Sequence, residues 1–446
     1  MTIKPDPFKL NLTAPNYWNI VIHSVVSFLG QSLMQVVDLL FCRDLGAQAS
    51  ATIGTATALL GWFIILGLGL TSSLEFLIPK AIGSGNEKQA SEYYYAGSLV
   101  ALFVSAISTV GLITISQMAS AYGMNPAIIP TVQKFCLIVS FSYFPIFLIP
   151  LFRVELQSRG NPHDTSIAFL WGNLFNIFLN WAFVLGHAGF PRMGIIGSAY
   201  ANVVARFGIF AFLLWQVKRA RKQKAVLLKP DEIEWKKRSL EIFKMGLPSC
   251  LHLLFEIGAF VLVGMLASRL TSADNAAHAI ALSLASFAFM APAGLGSAAA
   301  LTMSRAIGEQ NPKLAKALGY KTVRVGLVYA VIGSLIFWLA RYPLVLAYTS
   351  DEATIKIGTT LLIIASIFQF GDAMQVILAG CLRGFGITKI QAQMNAIGHW
   401  AIGLPLGVLL GFHYGMGILG LWIGLCVGLF TVALLLFIKF EKMERA

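Results

Sequence analysis

Apolar residues in this chain come in long runs that are separated by short polar breaks. Each run holds about 18 to 25 residues, which is the length that an α-helix needs to cross a ~30 Å hydrocarbon layer. Strands of membrane barrels are much shorter, so the pattern predicts an all-α membrane protein. Twelve runs predict twelve transmembrane helices, at 17–42, 51–78, 95–117, 132–152, 166–186, 195–216, 245–268, 278–303, 323–340, 355–379, 394–411 and 418–438.

Composition supports the membrane class, and charge placement predicts an orientation. Of the 446 residues, 57% are hydrophobic and 12% are charged, whereas about a quarter of a soluble protein is charged. With both termini cytoplasmic, the inner segments hold 26 of the 33 Lys and Arg residues. This asymmetry predicts a multi-pass protein of the cytoplasmic (inner) membrane with both termini inside. The net charge of +13 therefore indicates lipid headgroups as the partner of the basic segment 217–244, not nucleic acid.

Motifs of metal binding, secretion and nucleotide use are missing from the sequence. The five cysteines have no CxxC spacing, which excludes a zinc ribbon or a disulfide framework. The first 18 residues lack the cleavage site of a signal peptide, so we expect the first helix to stay uncleaved. No GxxxxGK[ST] motif occurs. A pump of this sequence would therefore use an ion gradient and no bound cofactor.

An internal repeat divides the chain into two halves. AIGSGN at 81–86 recurs as AIGEQN at 306–311, and MGIIG at 193–197 recurs as MGILG at 416–420, with offsets of 225 and 223. Six helices per half is an even number, so the repeat predicts two six-helix lobes related by a pseudo-twofold axis along the membrane normal. Such duplication is common in secondary transporters, although channels and membrane enzymes also arise by it. We predict the domains 1–216, a basic cytoplasmic linker 217–244, and 245–446.

Two carboxyl groups lie alone in apolar runs of the second half. Glu256 stands in LHLLFEIGAFVLVGML, and Asp372 stands in LLIIASIFQFGDAMQVILAG. A charge at this depth costs on the order of 3 kcal/mol, so it is seldom kept without a use. No Lys or Arg lies within ten positions of Glu256, and burial without a cation favours the protonated carboxyl. The pair is a candidate site for a coupling proton or cation; the structural alternative is a hydrogen-bonded pair.

A second polar group occurs in the first half. Asn176 and Asn180 are four residues apart and share a helix face. Together with Asp38 they offer the oxygen ligands that a small hard cation prefers, or the amides simply bridge helices. Arg206 either neutralises an acid or serves structure. His252 stands four residues before Glu256 and is a candidate modulator of it, but two ligands do not make a zinc site.

The chain resembles the multidrug and toxic compound extrusion (MATE) family, in particular its NorM-type branch, over nearly its full length. The stretches that carry the likeness are QSLMQVVDLL, GNLFNIFLNWAFVLG, LFEIGAFVLVGMLAS and FQFGDAMQVILAGCLRG. The resemblance implies two six-helix lobes, a central cavity, and export of amphipathic, often cationic compounds driven by inward sodium or proton flow.

The resemblance also assigns residues. Glu256 and Asp372 match the family's acids in the C-terminal lobe, and Asp38, Asn176 and Asn180 match its polar cluster in the N-terminal lobe. The chain departs from the family at Phe368, where related proteins often have a tyrosine hydroxyl. A second departure is Leu39-Leu40-Phe41-Cys42-Arg43, where the family has a stretch of small residues.

The predicted function is a sodium- or proton-coupled antiporter that exports drugs and toxins, not an enzyme. Its expected partners are amphipathic small molecules, the coupling cation and membrane lipids, and we expect a monomer. The alternative within the same superfamily is a flippase for a lipid-linked precursor, whose cavity tends to be basic. An intramembrane enzyme lacks a visible nucleophile and base here, and a channel is the remaining alternative.

Overall fold

The computed structural model describes residues 14–42, 45, 47–122, 124, 126–224 and 232–444. These residues are almost entirely helical and include no β-strand. Twelve helical segments among them are long and apolar enough to cross a membrane, and each overlaps one predicted run. The predicted fold class of an all-α membrane protein with twelve transmembrane helices is confirmed. The predictions for residues 1–13, Arg43 and 225–231 lie outside the described residues.

The first six spans contain eight helices, because two spans are broken. The second span is broken after Thr71 and the fourth after Ser140. The helices are α1 (Ala14–Cys42), α2 (Ala47–Thr71), α3 (Leu74–Gly83), α4 (Glu87–Gln117), α5 (Ile129–Ser140), α6 (Tyr143–Ser158), α7 (Pro162–Phe183) and α8 (Ile195–Lys224).

The last six spans also contain eight helices, but the eighth and tenth spans are continuous, and a short extra helix precedes the tenth span. They comprise α9 (Trp235–Ala267), α10 (Ser272–Gly308), α11 (Pro312–Leu339), α12 (Arg341–Leu346), α13 (Glu352–Gly384), α14 (Lys389–Asn395), α15 (Leu404–Val408) and α16 (Gly417–Glu441). The eleventh span joins α14 and α15 through π-helical turns at Ala396–Gly403 and Leu409–His413. In a π-helix each hydrogen bond reaches five residues along the chain, and such turns are often found at functional sites.

The chain divides into two compact units, Met1–Gly246 and Leu247–Ala446. We call them the N-unit and the C-unit. Helix α8 continues to Lys224 and α9 begins at Trp235, so much of the segment 217–244 is helical. The division of the chain into 1–216, a linker and 245–446 stays a prediction.

The internal repeat has a structural basis at the helix starts. Asn86 accepts a hydrogen bond from the backbone N–H of Gln89 at 3.0 Å and caps α4. Asn311 accepts one from Leu314 at the same distance and caps α11. An asparagine side chain at this position satisfies a helix N–H that has no partner within the helix. The two related sequences thus encode the same turn and cap in each half.

Buried ion pairs join the polar ends of the N-unit helices. Glu155 on α6 accepts hydrogen bonds from Arg159 at 2.8 Å and from Arg221 on α8 at 2.6 Å. Arg238, in the first turns of α9, pairs with Glu92 of α4 at 2.7 Å. Hydropathy places the start of the predicted seventh run at residue 245, because several residues before it are charged. The contact with Glu92 explains why the helix nevertheless begins at Trp235.

Candidate functional site

The N-unit brings Asp38 together with three asparagines from two other helices. Asp38 lies one turn before the end of α1 and is 7% exposed. Its carboxylate accepts hydrogen bonds from Asn180 at 2.9 Å and Asn176 at 3.4 Å, both on α7. Asn202 of α8 also donates to it. We call these four residues the Asp38 cluster.

The Asp38 cluster offers oxygen atoms in addition to its carboxylate. Each asparagine uses its amide N–H to reach Asp38, so each carbonyl oxygen points elsewhere. The Oδ1 atoms of Asn176, Asn180 and Asn202 are buried and have no hydrogen-bond partner in the described part of the chain. A buried acceptor without a partner costs free energy, and a hard cation takes oxygen ligands of this kind. The residues present therefore fit a small cation such as sodium.

Arg206 lies beside this cluster on α8. It follows Asn202 by four residues, so the two side chains share a helix face. Its Nη1 donates a hydrogen bond to Ser142 Oγ at 2.8 Å, at the break between α5 and α6. The charges of Arg206 and Asp38 act on each other. The structure thus brings Arg206 near the predicted acid without joining the two in a salt bridge.

The C-unit holds the other two predicted acids. Glu256 of α9 is 5% exposed and Asp372 of α13 is 4% exposed. Their carboxyl groups act on each other electrostatically. Neither has a Lys or Arg nitrogen within 4.0 Å among the residues that the structure describes. The structure thus buries both predicted acids in the C-unit, and their role as one coupling site stays a prediction.

Histidine and amide side chains surround Glu256. His252 lies one turn earlier on α9, with Nε2 3.6 Å from Glu256 Oε2. Asn395 of α14 donates to His252 Nδ1 at 2.6 Å. His252 thus lies beside Glu256, and its role as a modulator stays a prediction.

A further layer of polar groups lies on α13 and the π-helical turn. Gln375 of α13 lies near Glu256, although its buried amide nitrogen has no hydrogen-bond partner among the described residues. His399 in the π-helical turn lies with Nε2 3.2 Å from Gln375 Oε1. We call His252, Glu256, Asp372, Gln375, Asn395 and His399 the Glu256 cluster.

Phe368 lies one turn before Asp372 on α13 and is 2% exposed. Its ring contacts Phe260 with centroids 5.9 Å apart and Trp422 with centroids 5.7 Å apart. Trp422 donates to His278 Nδ1 at 3.1 Å. The position where related proteins often have a tyrosine is thus part of an aromatic core here.

Several members of the two clusters were not singled out from the sequence. Asn202 lies in the run 195–216, four residues before Arg206, and the rule that selects Asn176 and Asn180 could have found it. Gln375 and Asn395 are also amides in or beside apolar runs. The contact between Asn395 and His252 spans 143 residues, and no spacing in a single sequence indicates it.

Comparison with known proteins places this chain in a family. The family profile MatE matches residues 24–182 and 248–409, which is more than half of the chain. The two matched segments fall in the two halves that the internal repeat predicts.

Curated relatives are similar over nearly the whole chain. The multidrug resistance protein NorM of Vibrio vulnificus strain YJ016 is 29% identical over 436 residues, covering 94% of this chain and 93% of the relative. The multidrug resistance protein MdtK of Yersinia pseudotuberculosis is 28% identical over 439 residues, covering 96% and 94%.

Solved structures share the fold. A eukaryotic MATE transporter, AtDTX14, superposes with a TM-score of 0.88 at 21% identity, over 97% of both chains. An outward-facing MATE family transporter superposes with a TM-score of 0.87 at 16% identity, over 97% of this chain and 96% of the other. At these identities the likeness concerns the twelve-helix fold alone.

Proposed function

The chain belongs to the MatE family of membrane transport proteins, and from that premise we propose that it exports amphipathic, often cationic small molecules in exchange for protons or sodium ions. The NorM and MdtK relatives, whose names describe multidrug resistance, support this class of cargo. The positive-inside pattern supports a place in the cytoplasmic membrane with both termini inside.

One observation carries the coupling mechanism: Glu256 and Asp372 are buried together with no Lys or Arg within 4.0 Å in the described C-unit. Two adjacent carboxylates in an apolar environment repel each other, so at least one holds a proton until a cation or a change of solvent access removes it. A site of this kind can take up a proton on one side of the membrane and release it on the other.

Export by alternating access requires that the two ligands prefer different states. An ion that binds the clusters better in one conformation shifts the equilibrium toward it, and the cargo must prefer the other conformation. The Glu256 cluster, with two carboxyl groups that have no Lys or Arg nitrogen within 4.0 Å among the described residues, suits protons. If sodium is a coupling ion, the Asp38 cluster is its site, because sodium needs several oxygen ligands.

A lipid-linked precursor would require deep basic groups to hold its pyrophosphate. The deep charges of the C-unit are instead acidic, Glu256 and Asp372. This difference favours cationic cargo over a flippase substrate.

The test uses purified protein in liposomes with an imposed proton or sodium gradient and a fluorescent cationic dye. Wild-type protein should move dye against its gradient, whereas Glu256→Gln and Asp372→Asn should each abolish ion-driven movement. Glu352→Gln is the matched control, because Glu352 is an exposed acid on the same helix as Asp372. Export at the wild-type rate in both cluster variants would show that the acids are structural and that the mechanism is wrong.

A further inference from the structure

We propose that Arg206 is a tethered cation that takes the place of sodium at the Asp38 cluster, so that the chain's own guanidinium weakens sodium binding there. This inference rests on the proposed function only in taking the Asp38 cluster as an ion site. It concerns which ion the N-unit accepts, not which cargo is exported.

Position is the first support. Asn202 donates to Asp38, and Arg206 follows one helical turn later on the same face of α8. A turn of four residues advances the helix by about 6 Å, so the Arg206 backbone is near the cluster and its long side chain can reach it. The charge of Arg206 acts on Asp38.

The second support is the way Arg206 is bonded. A guanidinium has five N–H donors and is costly to place inside a membrane. In the described part of the chain, no carboxylate oxygen lies within 4.0 Å of Arg206, and its hydrogen bond goes to the neutral Ser142 hydroxyl at 2.8 Å. By contrast, Arg153 pairs with Glu75 at 3.0 Å and Arg221 pairs with Glu155 at 2.6 Å. Arg206 thus has the N–H donors that could form an ion pair, but its hydrogen-bond partner is a neutral hydroxyl.

Complementary acceptors belong to the Asp38 cluster itself. The buried Oδ1 atoms of Asn176, Asn180 and Asn202 have no partner among the described residues. These oxygens would bind sodium, and they would equally accept from a guanidinium that leaves Ser142. Even with Arg206 on Ser142, its charge repels a second cation at Asp38. Both effects weaken sodium binding at this cluster.

The experiment measures equilibrium binding of radioactive sodium to the purified full-length protein. Arg206→Gln should bind sodium about tenfold tighter than wild type, since it removes the competing charge and keeps a polar side chain. Arg206→Lys keeps the charge and should stay close to wild type. In the double variant Arg206→Gln with Asn180→Ala, the gain should disappear. Equal affinity in wild type and Arg206→Gln, or a gain that survives Asn180→Ala, would overturn the proposal.

A second variant protects the test against misfolding of Arg206→Gln. Ser142→Ala removes the hydroxyl that holds the guanidinium and leaves the charge, so it should bind sodium no tighter than wild type. Tighter binding in Ser142→Ala would also overturn the proposal. Glu256→Gln is the variant that tests the proposed function. When it is added to Arg206→Gln, the sodium affinity of the double variant should equal that of Arg206→Gln. Loss of dye export and loss of the sodium effect are therefore separate results.

Discussion

The two halves of this protein share their helices but not their buried chemistry. The repeat offset of 225 pairs Glu256 with Gln31 and Asp38 with Val263, and the offset of 224 pairs Asp372 with Leu148. In the N-unit one carboxylate is held by three amide donors near a guanidinium. In the C-unit two carboxyls lie together beside histidines and amides. Duplication therefore supplied a common scaffold, and each half carries a different kind of polar cluster.

The ion pairs at the helix ends also differ between the two units. The N-unit uses buried arginines, as in the contacts of Glu155 with Arg159 and Arg221. Two ion pairs of the C-unit are more exposed: the Glu309 side chain beside Arg305 is 28% exposed and the Glu441 side chain near Lys316 is 40% exposed. Breaking a buried pair leaves an uncompensated charge, whereas a partly exposed charge is still solvated. The N-unit should thus depend far more on its ion pairs.

The largest expected effect tests that dependence. Glu155→Gln leaves the buried Arg221 without a carboxylate partner, whereas Arg159 keeps its pair with Glu87 at 2.9 Å. The loss of the partner of Arg221 should lower the free energy of unfolding by about 3 to 5 kcal/mol. Glu309→Gln should lower it by about 1 kcal/mol or less. Chemical unfolding in mixed detergent micelles measures both. Equal losses in the two variants would break the contrast between the units.

A smaller effect separates the two ion clusters. Asp38→Asn keeps the shape of the side chain but leaves at least one amide of the cluster without an acceptor, which costs on the order of 1 to 3 kcal/mol. Asp372→Asn replaces a buried carboxyl group that has no hydrogen-bond partner in the described chain, so it should be neutral or stabilising. Thermal unfolding of the purified variants measures this difference. A destabilised Asp372→Asn would show that Asp372 is bonded like Asp38.

Sequence patterns predicted the spans because the bilayer imposes one strong rule on every one of them. The patterns failed where charge pairs or backbone geometry, and not hydropathy, determine the helical structure. The first turns of α9 were missed because Arg238 and its neighbours are polar, although the contact with Glu92 makes this stretch helical. The π-helical turn at Ala396–Gly403 gives no signal in periodicity. It depends on close packing, since a Cβ at Gly403 would lie 2.9 Å from the backbone oxygen of Gly424.

For the candidate site, single residues were predictable and their connections were not. Glu256 and Asp372 stand out because a lone acid in an apolar run is costly. Asn202 and Asn395 gain meaning only from contacts with Asp38 and His252 that span 164 and 143 residues. Likewise, the charged and polar neighbours of Arg206 are known only once the positions of three helices are known.

The smallest expected effect concerns the turn that the two halves share. Gly85 has φ +73° and its counterpart Gln310 has φ +56°, a left-handed conformation that costs an L-residue about 1 kcal/mol or more. A Cβ at Gly85 would meet no atom within 4 Å, so Gly85→Ala reports backbone strain alone and should cost about 1 kcal/mol. Gln310→Gly relieves the strain in the other half. Its gain should be smaller than the cost at Gly85, because glycine also makes the unfolded chain more flexible. Chemical unfolding of the two variants measures both signs, and an unchanged Gly85→Ala would show that this turn tolerates side chains equally in both halves.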